Sequence, residues 1–327
     1  MSLVDPDALA AWLDTQGLEA GRPLTVEPLG GGSSNAMFIL RRGGAQWVLR
    51  RPPRVAIERA NEGMRREFRI LKALSGTDVP HPEVVALCED HDVLGCTFYV
   101  MEQVRGVNPL PLPEGFGSDE HRAEVAYSMV EALARLHRVD WQTAGIGDLG
   151  HPEQFHQRQV DRWSRQLASY AGRELPGMGD VMVWLDAHRP EEFVPTIMHG
   201  DYHMLNVLIA PHPPGRVVAI LDWETATIGD PLLDLAGFCE VWCPVANEGW
   251  PSRAQLIEHY GSVRAIDPHL DLTYYDVLYN FRLAVLIEGI YQRSLLDPSR
   301  DDDVLMGERV LHNVERARAL IAADAAG

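Results

Sequence analysis

Through the first hundred positions apolar residues alternate with polar ones or run in short blocks, and beyond them an apolar period of three to four residues dominates. "LTVEPLGGGSSNAMFILRR" predicts a strand, a Gly/Ser-rich turn and a second strand, and "AQWVLRRPP" a third, stopped by Pro52 and Pro53. In "ANEGMRREFRILKALSG" Met64, Phe68, Leu71 and Leu74 fall on one helical face, with Gly76 just past the end. "VVALCEDHDVLGCTFYVMEQVRG" predicts two more strands around a turn at Asp90 to Gly95, and Gly106 to Pro109 leads the chain out. A small antiparallel sheet with one crossing helix is expected over 1–104, and a larger, mostly helical part over 105–327, the hinge lying at about 102–109. "DEHRAEVAYSMVEALARLHRVD", "FHQRQVDRWSRQLASYAG", "MGDVMVWLDAHRP" and Thr273 to Leu296 supply the helical pattern, broken only by short β runs at "NVLIA" and "VVAILDW".

One stretch violates its own pattern. In "IMHGDYHMLNVLIA" two histidines, an aspartate and an asparagine interrupt an otherwise apolar run, and burying such groups without partners costs several kcal/mol. If 206–210 pairs with 217–223, Asn206 and Asp222 reach the same end of the ribbon and Asp201 lies on the loop entering it. A carboxylate with an amide oxygen is a hard-ligand set suited to Mg²⁺. Asp201 is then free to accept a hydroxyl proton, which is the division of labour that phosphoryl transfer requires.

Composition narrows the partners. The net charge of −18 speaks against a nucleic-acid or anionic-membrane surface. It is uneven: residues 1–104 carry 11 basic and 14 acidic residues, leaving 18 against 33 for 105–327. No run reaches the roughly 18 apolar residues needed to span a bilayer, the N-terminus lacks a targeting pattern, and a cytoplasmic protein is expected. Cys88, Cys96, Cys239 and Cys243 lack zinc spacing and read as small buried hydrophobes. Lys72 is the only lysine.

"HGDYHMLN", "ILDWE" and "GDPLLDLA" together resemble the aminoglycoside phosphotransferase family, whose members have the bilobed, α+β protein-kinase-like fold. Asp201 and Asn206 stand five apart, as in the catalytic loop of kinases, and Asp222 falls at the metal-binding aspartate. The resemblance implies ATP and Mg²⁺ as cofactors, Asp201 as base, His203 near the γ-phosphate or bracing the loop, and Asn206 and Asp222 as metal ligands. It also implies that Gly31, Gly32 and Ser33 cover the nucleotide, that Val48 roofs the adenine, that Glu67 orients the phosphate-gripping cation, and that Glu102 belongs to the nucleotide-binding set. More locally, "WVLRRPP", "REFRILKAL", "VPHPEVVALCEDHDVLGCTFYVME" and "FRLAVLIEGIYQRSL" are similar to the phosphotransferase-like module fused to certain acyl-CoA dehydrogenases and to its free-standing bacterial relatives.

Arg50 stands where the family usually has lysine. Lys72, five residues past Glu67, faces elsewhere, whereas arginine can hold both a carboxylate and phosphate through its planar fork. His199 is expected to brace the loop, Asp230 and Asp234 to cap a helix, and Glu224 to share the strand face of Asp222. Only Trp223 to Ile228 separate Asp222 from Gly229, too few for a peptide-docking activation loop, so the partner is a small hydroxylated molecule. Along Thr273 to Leu296, the expected acceptor wall, Arg282 and Arg293 balance Asp276 and Glu288. A hydroxyacyl-CoA-like acceptor is favoured over an aminoglycoside; a catalytically silent nucleotide-binding module is the alternative of another class.

Overall fold

The fold was analysed in a computed structural model that describes residues 3–30, 35–53, 58–245, 249–296 and 305–326. The chain forms two compact units that follow packing rather than a single cut. The first comprises Met1–Arg135, Val139–Leu149 and Met204–Thr225; the second comprises Leu136–Arg138, Gly150–His203 and Ala226–Gly327.

In the first unit a five-stranded antiparallel sheet has the order β1-β2-β3-β5-β4, with β1 Leu24–Leu29, β2 Ala36–Arg42, β3 Ala45–Arg51, β4 Val84–Cys88 and β5 Phe98–Glu102. Helix α1 (Pro6–Thr15) is capped by the Asp5 carboxylate, which accepts from the Asp7 and Ala8 amides. It covers one sheet face, where Leu9 and Leu13 join Phe38, Leu40, Leu49, Phe98 and Val100 in an apolar cluster. Helix α2 (Glu58–Leu74), the expected crossing helix, packs against β4 and β5. The expected Asp90–Gly95 turn contains a short helix, α3 (His91–Leu94), closed by Gly95 at φ 75°. The hairpin of β7 (Val207–Ile209) and β8 (Val217–Ile220) also belongs to this unit. Ile220 donates its amide to the Pro80 carbonyl, and Ile209 exchanges two backbone bonds with Val107.

Helix α4 (Asp119–Leu136) starts in the first unit and ends in the second. The second unit holds six further helices: α5 (Gln159–Ser169), α6 (Met178–Ala187), α7 (Leu232–Val245), α8 (Arg253–Arg264), α9 (Thr273–Ser294) and α10 (Met306–Asp324), among the described residues. A short ladder joins β6 (Thr196–Met198) to β9 (Thr227–Gly229) and so fixes where the chain enters the His199–Asp201 loop. Val277, Leu278, Phe281, Ala284 and Val285 of α9 are fully buried, which explains its length. Among the described residues no helix is long and apolar enough to cross a membrane.

Candidate active site

Strand parity decides the chemistry of the first unit. Leu49 packs into the α1 cluster, so its neighbour Arg50 points to the opposite face, toward α2. Val48, two residues back, shares that face and is buried. Arg50 Nη2 donates to Glu67 Oε1 at 2.9 Å and to Asp222 Oδ1 at 2.9 Å, while its Nε lies 2.8 Å from Glu67 Oε2. Tyr99, which pairs with Arg50 in the β3–β5 ladder, donates its hydroxyl to Glu67 Oε2 at 2.9 Å. Burial works against the Arg50 charge, but the charge of Glu67, helped by Asp222, outweighs it and holds the guanidinium above its ordinary value. Burial likewise keeps the Tyr99 hydroxyl protonated, well above its usual range. Lys72 is exposed on α2, away from this cluster.

Asp222 follows β8 with φ 63°, a conformation ordinary side chains avoid, and Trp223 behind it is buried with its indole N–H on the Ile220 carbonyl at 3.0 Å. Val207 pairs with Ile220 and the Asn206 carbonyl accepts from the Leu221 amide at 2.8 Å, so Asn206 and Asp222 leave the same end of the ribbon. Glu224 lies in a 3₁₀ turn (Trp223–Thr225) because β8 has already ended at Ile220; the expected shared strand face does not exist. Its carboxylate still lies within 4.8 Å of those of Asp222 and Glu67. Glu102 ends β5, exposed, with its amide on the Glu83 carbonyl. Gly31, Gly32 and Ser33 lie outside the described residues.

The second unit holds Asp201 and His203. His199 is fully buried, and its Nδ1 accepts the Asp201 amide at 3.3 Å. One carboxylate fixes this loop from below: Asp234 accepts the His199 amide at 2.5 Å and the Gly200 amide at 2.8 Å, and meets His137 Nε2 at 3.4 Å. His137 Nδ1 in turn contacts the Tyr260 hydroxyl at 2.7 Å. Burial depresses His137, so a neutral imidazole faces Asp234; burial opposes the Asp234 charge too, but His137 and the backbone donors hold its carboxyl below the usual range. Gly200 takes φ 83°, turning the chain so that Asp201 is exposed while Tyr202 returns to the core. His203 Nε2 lies 3.4 Å from Asp201 Oδ1. Asp230 does cap α7, through the Leu232 amide, and also binds His156 and the Tyr275 hydroxyl. Asp234, expected only to cap, is the strut of the loop.

Three participants escaped the sequence reading: Tyr99, His137 and the loop-bracing role of Asp234. Tyr99 was within reach of parity, since it shares the α2 face with Arg50; the other two depend on the contact of His137 with Asp234 of α7, 97 residues apart in the chain, that no local pattern encodes.

The donor set suits a hard divalent cation. Asp222, with Asn206 from the same ribbon end and Glu67 and Glu224 close by, offers oxygen ligands only, the kind Mg²⁺ takes while filling its shell with water and phosphate oxygens. Arg50 sets a buried positive charge beside Glu67 and Asp222 of this donor set.

Comparisons with known proteins identify the family. The profile of the phosphotransferase enzyme family matches residues 25–268, and the chain belongs to that family. Phosphotransfer is the chemistry that family defines. Human acyl-CoA dehydrogenase family member 11 is 32% identical over 320 residues, which is 91% of this chain but 40% of the relative's length. A crystal structure from Ralstonia eutropha, provisionally named an aminoglycoside phosphotransferase, superposes with TM-score 0.86 at 32% identity, covering 97% of this chain and 98% of the other. A mutant of the aminoglycoside phosphotransferase APH(4)-Ia in complex with AMP-PNP and hygromycin B shares the fold alone, at TM-score 0.56 and 19% identity over 94% and 98% of the chains.

Proposed function

We propose that this chain is an ATP- and Mg²⁺-dependent kinase that phosphorylates a hydroxyl of a small metabolite, with a hydroxyacyl-CoA-like acceptor favoured. The observation that carries the reading is the buried Arg50 fork, which ties Glu67 of α2 to Asp222 of the hairpin. A silent domain has no use for a strained aspartate held beside a buried cation. In this reading 1–104 serve the nucleotide and 105–327 the chemistry and acceptor, with the passage between them at about 102–109. The hairpin of 204–225 packs with the sheet unit although it comes from the second stretch of chain.

Arg50 neutralises phosphate oxygens and is kept in place by Glu67, itself held by Tyr99. Val48 and Glu102 complete the nucleotide's surroundings, together with Gly31, Gly32 and Ser33. Asn206 and Asp222 would hold Mg²⁺, which when bound offsets negative charge on the phosphates. Asp201 accepts the proton of the attacking hydroxyl; as an exposed carboxylate on a rigid loop it can orient that hydroxyl without carrying the metal. His203, beside Asp201, steadies that carboxylate or meets the γ-phosphate. The use of ATP draws support from the AMP-PNP complex of the distant fold relative, and the acyl-CoA-like acceptor from the relative named an acyl-CoA dehydrogenase family member.

The test is ATP consumption with and without Mg²⁺ against short hydroxyacyl-CoAs, homoserine, choline and aminoglycosides, with product mass recording an added phosphoryl group. Turnover of a hydroxyacyl-CoA is expected. Efficient aminoglycoside phosphorylation, with kcat/KM above roughly 10⁴ M⁻¹s⁻¹, would replace the acceptor, and no turnover with any of them would favour a silent module.

A further inference from the structure

The charges along α9 do not cancel as their sequence suggests. Asp276 is taken by Arg253 of α8 at 2.6 Å, and Glu288 by Arg173 at 3.2 Å, so both carboxylates of the helix are neutralised from outside it. Arg293 is exposed at the far end. Arg282 is left facing inward without an acid of its own.

Its surroundings are unusual for a guanidinium. The Cζ of Arg282 lies 5.3 Å from the centroid of the buried Trp163 ring of α5, and the Cζ of the neighbouring Arg162 lies 5.2 Å from the same ring. Two cations therefore share one indole, and among the described residues no carboxylate hydrogen-bonds to either. The Nε of Arg282 is buried without a hydrogen-bond partner. Cation–π contact recovers part of the cost of burying such a group, but it leaves the in-plane N–H donors unsatisfied. Burial drives Arg282 below its ordinary value and the nearby Arg162 pushes it further down, while Asp234, Tyr279 and Asp201 pull it up. Of these, Asp234 is committed to the His199 and Gly200 amides. Asp201, the proposed base, is the exposed carboxylate whose charge reaches Arg282.

We propose that Arg282 and Arg162, arrayed on Trp163, form a subsite for an anionic group of the acceptor, a carboxylate or a phosphate, and so make this enzyme selective for anionic hydroxyl compounds. The subsite rests on the phosphotransferase reading and gives it a substrate class. A guanidinium fork binds either anion through paired N–H donors, and an anion bound beside this pair offsets the repulsion between the two cations and gives the buried Arg282 Nε an acceptor. Arg162, Arg282 and Asp201 all belong to the second unit, so the anion is bound in the same unit as the proposed base. The anion and the reacting hydroxyl must be separate groups of one molecule, since an anion placed directly against the Asp201 carboxylate would be repelled.

The experiment compares 3-hydroxybutyryl-CoA, which carries phosphates, 3-hydroxybutyrate, which carries a carboxylate, and the neutral 3-hydroxybutyryl-pantetheine. Wild type, Arg282→Met, Arg282→Lys and Arg162→Gln are assayed on each. In wild type one anionic acceptor exceeds the neutral one in kcat/KM, and which of the two does so names the source of the anion. The ratio of anionic to neutral kcat/KM is expected to fall about 10- to 100-fold in Arg282→Met, as for loss of a charged hydrogen-bonding group, and to recover in part in Arg282→Lys. Arg162→Gln, at an exposed position, should lower the ratio by a smaller factor and keeps the test valid if Arg282→Met does not fold. An equal ratio in wild type and variants would overturn the subsite, because a merely structural arginine changes stability and not selectivity. Calorimetric titration of coenzyme A and of 3-hydroxybutyrate without nucleotide separates this from the activity itself. If phosphoryl transfer is absent but binding of either anion is lost in Arg282→Met, the subsite stands and the kinase reading falls. Equal binding of both by wild type and variant removes the subsite.

Discussion

Two buried acid–base pairs, one in each unit, do opposite work with similar parts. In the sheet unit Glu67 faces Arg50, a permanent cation, and the pair spends only part of its donors internally: Nη2 reaches out to the half-exposed Asp222. In the helical unit Asp234 faces His137, a neutral imidazole, and its oxygens are used up on the His199 and Gly200 amides. The first arrangement leaves positive charge beside a half-exposed carboxylate; the second consumes charge to hold a backbone. The difference teaches which buried acid–base pair to read as functional: the one whose base is a cation with a side still open to a half-exposed acid.

That contrast can be broken experimentally, from the larger effects to the smaller. Asp234→Ala leaves the buried His199 amide and the half-buried Gly200 amide without their acceptor and should reduce stability by about 3 to 5 kcal/mol, read as a lower urea midpoint. A variant as stable as wild type would remove Asp234 from its bracing role. Asp222→Ala should keep the fold but lose the Mg²⁺-dependent stabilisation by ATP, worth about 2.7 kcal/mol at a ligand concentration 100-fold over Kd. Thermal-shift titration of ATP with and without Mg²⁺ checks this, and an undiminished shift would mean the ligand set is wrong. Arg50→Ala should raise the KM for ATP about 10- to 100-fold, whereas Arg50→Lys retains much of the affinity because a point charge still meets both Glu67 and phosphate. Unchanged ATP kinetics in Arg50→Ala would move the phosphate grip elsewhere.

The smallest effect is that of pH on the helical-unit pair. Burial holds the folded His137 below the unfolded imidazole value, so its stabilising contribution is complete above about pH 6.5 and is lost as pH falls below that toward the folded value. Asp234, also held below its unfolded value, keeps its contribution until the pH falls below about 3.9 toward its own folded value. Unfolding midpoints at pH 7.5 and 5.5 should therefore drop in wild type by no more than about 1.4 kcal/mol per pH unit from this group, and drop less in His137→Gln. An equal drop in the two proteins would show that folding does not depress the titration of this imidazole.

Where a side chain's placement is set locally in the chain, the sequence was enough to find it. Parity in "WVLRR" put Arg50 and Val48 on one face, and hairpin register brought Asn206 and Asp222 to one ribbon end, both as the structure has them. The sheet unit's crossing helix was legible from its spacing. What stayed hidden depends on distant packing: α1 covering the second sheet face, His137 under the loop, and the carboxylates of α9 claimed by Arg253 and Arg173. Charges that balance along one helix need not pair with each other, because burial selects partners by proximity across elements. The strand expected to carry Glu224 ends early because Asp222 turns into a left-handed conformation, which a composition of ordinary β residues does not announce.

The central claim is that the exposed carboxylate on the Asp234-braced loop is the base of a phosphoryl transfer. Phosphorylation of the best hydroxyl acceptor from the screen, followed by product mass in wild type and in Asp201→Asn, tests it most directly. The account predicts a Mg²⁺- and ATP-dependent phosphorylated product in wild type, with turnover reduced roughly 10²- to 10⁴-fold in Asp201→Asn while ATP binding and unfolding midpoint stay as in wild type. A near-normal rate in Asp201→Asn on that acceptor would contradict it.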